Sequence, residues 1–494
     1  MSMLIHHFSL FGMWAVVLFV LITGGCGKSP VIRDKEPIDF PQTYADVPVE
    51  GHLVKNIAVA LESQELGELL DRAFEANLDM KMAWTRIARA EAAEREARAA
   101  LFPLFPLRIG ASRSRAPLLP FGDELQDGLG GSADNPDGRD FTFGDGTRTA
   151  VTRNQFDVSL GASYEIDLRG RLRHRLEAAA LDAVAARRDA ESLAVTIAAE
   201  VTEIWVTLAA EHERQALLKE QIQVSSELLE LIELRFERGM IPASEVMMQE
   251  QELSTLNGLL IINEAEMIRA ANQLAILLGQ APRSEMTIRQ KTLPSPLPVT
   301  AAGVPSDLLD RRPDVRASRL RLEGADASLA AAVAQRLPSL RLTASLFDQS
   351  QQIGELFSRI FWSIGASAEY DIFDGGRAGA MIEQAEAVAE EQFFSYGLTL
   401  LQAIREVQDA LSLGMHQEDY ISHLQQQINA ASTVLEFSRT RYLAGEGDYL
   451  TLLMNLQRLQ SLQVDLLEAR RRLFSLRLQL WRALGGGWSA EDET

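Results

Sequence analysis

The two halves of this chain repeat each other, and this repetition limits the fold more than any other feature does. The matching pieces occur in the same order in both halves, and each pair is separated by 206 positions. The pairs are Tyr164-Glu165-Ile166 with Tyr370-Asp371-Ile372, Arg235-Phe236 with Arg441-Tyr442, and Leu278-Gly279 with Leu484-Gly485. A constant offset over such a length indicates two tandem structural repeats with the same order of elements.

The first half also carries an insertion. Farther upstream, Asp79 and Pro103 match Asp314 and Pro338, and here the offset is 235 positions instead of 206. The extra residues therefore lie between Pro103 and the first Tyr-acid-Ile piece. Within them, the stretch 122–146 contains seven glycines and six aspartates with no hydrophobic period. That composition predicts a long exposed loop, and the Asp spacing fits no EF-hand calcium loop.

These offsets predict the domain organisation. We expect a first repeat at 62–281, a linker at 282–305, a second repeat at 306–485 and a short tail at 486–494. Five prolines in or next to the linker exclude a continuous helix there, because proline lacks the backbone N–H that a helix needs.

Residues 1–25 have the character of an export signal. They contain no Asp, Glu, Lys or Arg, and the apolar run 10–22 is too short for a comfortable membrane span. Two glycines precede Cys26, the single cysteine. This arrangement resembles a bacterial lipoprotein signal, which implies that Cys26 is acylated and that 26–61 is a lipidated extended segment. An ordinary secretory signal with an incidental cysteine is the alternative.

Two segments of 11 residues, 156–166 and 362–372, alternate between apolar and polar side chains. Both have the length of a tilted transmembrane strand and carry aromatic residues near their ends. We expect partner strands at about 107–115 and 340–347. Alternation alone also fits a half-buried strand of a soluble sheet. A four-stranded sheet in lipid would expose two unpaired edges, so one chain cannot close a barrel, whereas three copies supply 12 strands.

Long helices follow the second strand of each repeat. The spans 171–236 and 378–443 contain no proline and repeat apolar residues at coiled-coil spacing. Each has about 65 residues and would reach roughly 100 Å. Glycines end both helices, and apolar helices return at 244–278 and 449–484. We therefore predict helical hairpins with tips at 239–243 and 445–449. Shorter helices are expected at 62–101 and 306–334.

Three motifs now connect this pattern to a known family. They are Phe373-Asp374-Gly375-Gly376-Arg377 after the last strand, Arg311-Arg312-Pro313-Asp314-Val315 at the start of the second repeat, and Gly447-Asp448-Tyr449-Leu450-Thr451-Leu452-Leu453 at the second tip. Together with the tandem halves, they resemble the TolC-like outer-membrane factors, in particular their lipoprotein branch. The resemblance covers about 61–484.

The resemblance implies an α+β membrane protein. Four strands per chain would join a homotrimeric 12-stranded β-barrel in the outer membrane of a Gram-negative bacterium, continued by a long α-helical coiled-coil barrel in the periplasm. It also implies a passive exit duct of a tripartite efflux system, with a periplasmic adaptor and an inner-membrane transporter as partners. The tips at Gly239, Gly445 and Gly447 would contact the adaptor, and Asp374, Gly375, Gly376 and Arg377 form the strand-to-helix motif.

By the same resemblance, Leu450, Thr451 and Met454 are the candidate periplasmic aperture. The family commonly has Asp where Met454 stands, so we expect a hydrophobic constriction instead of a cation-binding ring. Glu245, at the corresponding point of the first tip, is a weaker candidate for supplying charge. The alternative for all these residues is ordinary helix packing at a tip.

Other chemistry finds little support. The net charge of −21 argues against nucleic acid as a partner. We expect no enzyme, cofactor or metal site, because no phosphate-binding loop, zinc helix or nucleophile elbow occurs, and the pair His416 and His423 lacks a third ligand. The chain has no internal stretch of 18 apolar residues that could form a membrane-spanning helix. The alternatives to an efflux duct are a protein-secretion duct and a periplasmic coiled-coil scaffold without a pore.

Overall fold

The computed structural model describes residues 57–117, 150–282, 288–297 and 311–486. The predicted signal peptide, Cys26, the Gly/Asp-rich loop 122–146, most of the linker and all but the first residue of the tail lie outside the described residues. The chain divides into two compact units. Among the described residues, one unit contains those up to 95, those between 176 and 330 and those from 382 onward, and the other contains those between 96 and 175 and between 331 and 381.

Four antiparallel strands form the sheet of the second unit. They are β1 (Leu107–Pro117), β2 (Ala150–Ile166), β3 (Ser339–Ser350) and β4 (Phe361–Glu369). The strand order is β1-β2-β3-β4, so β1 and β4 are the two edges. All four predicted strands are therefore present. The loop between β3 and β4 contains a short 3₁₀ turn, Ile353–Glu355.

The predicted end of the last strand is wrong. The sequence pattern extended this strand to residue 372, whereas β4 ends at Glu369, which pairs with Ser339. The next partner would be Pro338, which has no N–H to donate, so the ladder stops there. The strand β2 is longer than predicted. It begins at Ala150, six residues before the predicted start at 156, and pairs with β1 as far as Pro117.

The sheet has one apolar and one polar face. Because side chains alternate along a strand, the register places residues of one kind next to each other across the strands. Leu107, Leu160, Leu346 and Trp362 lie on one register line of the apolar face. This face is exposed in the single chain, with Ile364 at 78% and Ile109 at 76% of full accessibility.

The two long helices are confirmed. They are α4 (Arg171–Glu237) and α7 (Arg377–Leu443), each of 67 residues. They are followed by the return helices α5 (Ala243–Leu277) and α8 (Tyr449–Ala483), each of 35 residues. Equal lengths in both repeats follow from the constant sequence offset over these elements.

The shorter helices differ from the prediction. Instead of one helix over 62–101, the structure has α2 (Gln64–Ala76) and α3 (Leu78–Ala99), preceded by a single turn, α1 (Ile57–Ala60). The break is at Asn77, whose side chain accepts hydrogen bonds from the N–H groups of Asp79 and Met80 and donates to Leu277 O. The turn α1 also shows that the predicted segment 26–61 is not extended at its end.

Helix α6 spans Pro313–Ala334. The first part of the helix expected at 306–334, residues 306–310, lies outside the described residues. Proline fits the first position of a helix, because the N–H that it lacks would have no partner there. Residues 288–297, the described part of the linker, contain no helix.

Helix packing makes the core of the first unit. Its largest fully buried side chain is Trp205 on α4, packed among residues of α2, α5 and α8. The same helix α4 contains one window of 18 residues whose mean hydropathy is high enough for a membrane span, although the window is not an uninterrupted apolar run. However, 61% of that window is buried inside the chain, as is usual for a core helix.

Candidate functional site: the hairpin tips and the strand-to-helix junctions

The second tip, residues 441–455, is a tight turn between α7 and α8. Gly445 has a φ of +77°, a conformation that favours glycine. Gly447 has little space for a side chain, because a Cβ would lie 3.0 Å from the backbone nitrogen of Tyr442. Asp448 then caps α8 by accepting a hydrogen bond from the N–H of Thr451 at 3.3 Å.

The candidate aperture residues lie on the exposed side of the first two turns of α8. Leu450 is 47% exposed and Met454 is 61% exposed, and Thr451 is also exposed. Their neighbours Leu452 and Leu453 point the other way, into a small core of the tip. In the single chain, therefore, the three candidates do not take part in the packing of their own tip.

Two tyrosines of the second tip bind the first return helix. The Tyr442 hydroxyl donates to Glu245 Oε2 at 3.1 Å, and the Tyr449 hydroxyl donates to Gln249 Oε1 at 2.7 Å. Because Glu245 and Gln249 are four residues apart on α5, both acceptors lie on the same helix face. Gln249 in turn donates to Ser225 O at 2.7 Å on α4.

Burial raises the pKa of both hydroxyls, and the carboxylate of Glu245 adds to this effect at each. At Tyr442, a contact with Arg235 acts in the opposite direction, but the net pKa shift is upward. The Arg235 guanidinium lies 4.7 Å from the centre of the Tyr442 ring and donates to Tyr442 O at 3.2 Å. Both tyrosines therefore remain protonated hydrogen-bond donors at neutral pH.

The first tip, residues 235–249, is built with less packing. Gly239 has a φ of +70°, and a Cβ at this position would meet no atom within 4 Å. Pro242 is the N-cap of α5 and makes no side-chain hydrogen bond. Met240 and Met247 are 64% and 67% exposed. The predicted charge of this tip, Glu245, is the acceptor for Tyr442, so it serves the contact between the tips.

The second strand-to-helix junction explains the Asp-Gly-Gly-Arg motif. Asp374 accepts hydrogen bonds from the N–H groups of Gly376 at 2.9 Å and Ala378 at 2.8 Å, and these bonds lower its pKa. Gly375 and Gly376 have φ values of +66° and +89°. Arg377 pairs with Asp371 at 2.9 Å. The motif thus caps α7 and ties it to the residues that leave β4.

The first junction reaches the same result with different residues. Asp167 accepts from the N–H groups of Leu172 at 3.2 Å and Arg173 at 3.0 Å. Burial alone would raise the pKa of Asp167, but these bonds and the Arg173 guanidinium outweigh it, so the pKa is lowered. Arg171 pairs with Glu165 at 2.5 Å, as Arg377 does with Asp371.

The Arg-Arg-Pro-Asp-Val motif forms a buried ion-pair cluster at the start of α6. Arg312 binds Asp314 at 2.7 Å, Glu406 of α7 at 2.8 Å and the carbonyl of Ala483 at 3.1 Å. Burial would lower the pKa of the guanidinium, but the two carboxylates raise it overall. The cluster fixes the start of α6 to α7 and to the end of α8.

A second buried polar contact lies between α4 and α5. Asn263 donates to the Glu211 carboxylate at 2.5 Å and to Glu211 O at 3.1 Å. Burial raises the pKa of Glu211, although this hydrogen bond and Arg214 oppose the shift. Among the described residues, no group of three or more His, Cys, Asp or Glu side chains could hold a metal ion.

Sequence reasoning missed the tyrosine contacts and the Asn263 contact. Arg235-Phe236 and Arg441-Tyr442 were recognised only as a repeated pair. The available signal was the change from Phe236 to Tyr442 between the repeats, because a hydroxyl that is added to a buried ring needs a partner.

Comparison with known proteins places this architecture. The family model of outer membrane efflux proteins matches residues 69–280 and 304–486. The pyoverdine export outer membrane protein OpmQ of Pseudomonas aeruginosa is 26% identical over 477 residues, which is 96% of each chain. The toluene efflux pump outer membrane protein TtgI of Pseudomonas putida is 28% identical over 441 residues, or 86% of each chain.

Solved structures agree with these sequence relatives. The outer-membrane channel OprN superposes with a TM-score of 0.80 over 92% of this chain and 98% of its own, at 24% identity. The outer membrane protein VceC of Vibrio cholerae gives a TM-score of 0.76 over 88% of this chain and 99% of its own, at 25% identity. The predicted TolC-like fold is confirmed, and the efflux duct is favoured over the secretion duct and the scaffold. The chain belongs to the outer membrane efflux protein family and is an outer-membrane channel of a tripartite efflux system.

Proposed function

We propose that three copies of this chain close one 12-stranded barrel and form a passive exit duct from the periplasm to the exterior. The observation that carries this proposal is the four-stranded sheet, with its exposed apolar face and its two free edges, β1 and β4. Lipid cannot satisfy the N–H and C=O groups of those edges. Pairing β4 of one copy with β1 of the next would satisfy them.

A matched pair of arginine substitutions tests the barrel. Ile364 lies on the apolar face of β4, and its neighbour Ser363 lies on the polar face beside Ser345. An arginine on the lipid side costs about 2–4 kcal/mol at mid-membrane, whereas the polar lumen tolerates it. Ile364→Arg should therefore abolish or strongly reduce membrane-inserted trimer, measured by native mass spectrometry of the membrane extract. Ser363→Arg should insert normally, and equal insertion of both variants would refute the barrel.

For the periplasmic end, Leu450, Thr451 and Met454 would line a hydrophobic constriction around the three-fold axis. Their exposure in the single chain supports this role, because side chains that do not pack in their own tip are free to face their copies. Three Met454 side chains carry no charge and would limit passage by poor wetting.

Planar bilayer conductance tests the constriction. Met454→Asp should create block by multivalent cations, added from the periplasmic side, that the native channel lacks. Met247→Asp is the control, because Met247 is 67% exposed at the first tip and is not an aperture candidate. Equal block of the native channel and the Met454→Asp variant would exclude a hydrophobic aperture.

We further propose that Cys26 carries the lipid anchor and that the tips at Gly239, Gly445 and Gly447 dock with the periplasmic adaptor. Cys26→Ser should lose the acyl mass of the mature protein while the barrel still inserts. For cargo, relatives named for pyoverdine export and for toluene efflux are both similar in sequence to this chain over most of its length. Because such similar proteins are named for such different compounds, we expect the inner-membrane pump to select the cargo.

A further inference from the structure

The outer face of β1 changes character abruptly. Leu107, Ile109 and Ala111 lie on the apolar face, and the next two residues on that face are Arg113 and Arg115. Both arginine side chains are exposed. Their cross-strand partners on β2 are the uncharged Asn154 and Thr152. Within the described part of the chain, neither arginine has an ion-pair partner.

The height of these arginines follows from the strand that pairs with β1. On β2, the apolar face runs from Ile166 to Phe156, which at about 3.4 Å per residue and a tilt of about 40° spans roughly 26 Å. That length equals the apolar band of an outer-membrane barrel, about 25 Å. Asn154, the partner of Arg113, lies one step beyond this band. Arg113 and Arg115 therefore lie roughly 5 and 10 Å past the apolar edge, at headgroup depth.

The direction of β2 decides which leaflet is involved. Ile166 is at the end of β2 that leads into α4, and this end faces the periplasm in the proposed duct. Arg113 and Arg115 are at the opposite end, so they lie at the exterior leaflet. On the same strand hairpin, Arg108 and Arg153 belong to the other face, which is the lumen face, because they alternate with the outward residues.

We propose that Arg113 and Arg115 bind the phosphate groups of an anionic lipid of the outer leaflet, whose acyl chains lie along the apolar residues below. This inference rests on the proposed barrel. Guanidinium groups form paired, charge-assisted hydrogen bonds with phosphate oxygens. An anionic headgroup therefore fits these two arginines better than a zwitterionic or neutral headgroup does. Two arginines at positions i and i+2 of a strand are about 7 Å apart, a spacing that can serve two phosphates of one headgroup.

Lipid binding by the purified, detergent-solubilised protein tests the proposal. The probes are diphosphorylated lipid A, phosphatidylcholine and inorganic phosphate, with bound lipid measured by native mass spectrometry. Arg113→Gln/Arg115→Gln should weaken lipid A binding at least tenfold, since the charge-assisted hydrogen bonds of two guanidinium groups to phosphate are lost. Arg108→Gln/Arg153→Gln removes the same charge from the lumen face and should leave lipid A binding unchanged. Phosphatidylcholine binding should not distinguish the variants.

Three results would overturn the proposal. They are unchanged lipid A affinity of the Arg113→Gln/Arg115→Gln variant, an equal loss in the lumen-face variant, and full displacement of lipid A by inorganic phosphate, which would indicate a site for free phosphate. Bilayer conductance separates this failure from failure of the duct itself. The Arg113→Gln/Arg115→Gln variant should conduct as the native protein does, whereas native protein that neither assembles nor conducts would refute the barrel.

Discussion

The two hairpin tips occupy equivalent positions in the repeats, yet they are built differently. Tyr442 is 4% exposed at the second tip, whereas its counterpart Phe236 is 45% exposed at the first. The fully packed Tyr449 corresponds to Ala243. The second tip thus donates hydrogen bonds from its tyrosines, and the first return helix supplies the acceptors. After duplication, one tip has become the support of the other, and the two are no longer interchangeable.

The junctions between strands and helices, unlike the tips, are built in the same way in both repeats. In both repeats an aspartate caps the long helix, and an arginine in the first turn pairs with a carboxylate that belongs to the end of the preceding strand or follows it closely. A helix that starts directly after a strand leaves its first N–H groups without partners, and this demand is the same in both halves. The junctions have therefore kept one solution while the tips have diverged.

The largest expected effect is from Tyr449→Ala. This side chain is 1% exposed, and its loss leaves a cavity in the tip and removes the donor to Gln249 Oε1. We expect the local opening free energy of the second tip to fall by about 3–5 kcal/mol. Hydrogen exchange of peptides from both tips measures this. Phe236→Ala at the first tip is the control and should change exchange far less; comparable effects would mean that the tips are equivalent after all.

A smaller effect is expected from Tyr442→Phe, which gives the second tip the aromatic residue of the first. The ring and its contact with Arg235 remain, and only the bond to Glu245 is lost. Bonds to charged acceptors contribute about 1–2 kcal/mol when the acceptor is half-buried. Exchange should therefore rise in the first turns of α5 as well as in the second tip. Phe236→Tyr adds a hydroxyl at an exposed position and should alter neither tip. If exchange in Tyr442→Phe rises only in the second tip, the first return helix does not depend on this bond, which would argue against support of one tip by the other.

The helix caps give a third, still smaller contrast. Asp448→Ala removes the hydrogen bond to the Thr451 N–H and should cost about 1 kcal/mol at the start of α8. Pro242 makes no such bond, so Pro242→Ala should leave the start of α5 nearly unchanged. The measurement is exchange of the first-turn amides in each return helix. An equal rise of exchange at both helix starts would show that the Asp448 cap has no special value.

Much of this molecule follows from its sequence, because repetition and hydrophobic period survive in the residues themselves. The strands, long helices and tips all occur where alternation, heptad spacing and glycines predicted them. The errors arise where the hydrogen-bonding capacity of a single residue decides the outcome. Asn77 splits one predicted helix in two, and Pro338 ends the last strand early, and neither effect is visible in a periodic pattern.

The contacts of the site were less predictable. The Tyr442–Glu245 and Asn263–Glu211 pairs join residues that are far apart in sequence, and only the helix packing brings them together. The Asp374 motif was found by resemblance, but its physical role as a cap became clear only from the bonds to Gly376 and Ala378. The roles of Leu450, Thr451 and Met454 stay predictions, because they concern contacts between copies.

The smallest effect tests the similarity of the junctions through pH. The pKa of Asp374 is lowered by the N–H groups of Ala378 and Gly376, and the pKa of Asp167 is lowered as well. A carboxylate with a lowered pKa in the folded state contributes stability that is fully present above the unfolded value of about 4 and is lost as the pH falls through the folded value. Asparagine also caps helices but does not titrate.

Asp374→Asn and Asp167→Asn should therefore be slightly less stable than the native protein at pH 6, and this gap in Tm should close as the pH falls below about 4. The native protein loses the contribution of the ionised aspartate over that range, whereas the variants have none to lose. Thermal melts of the detergent-solubilised protein at each pH give the gap. If it closes for one aspartate and stays constant for the other, the junctions have diverged as the tips have, and the contrast between them disappears.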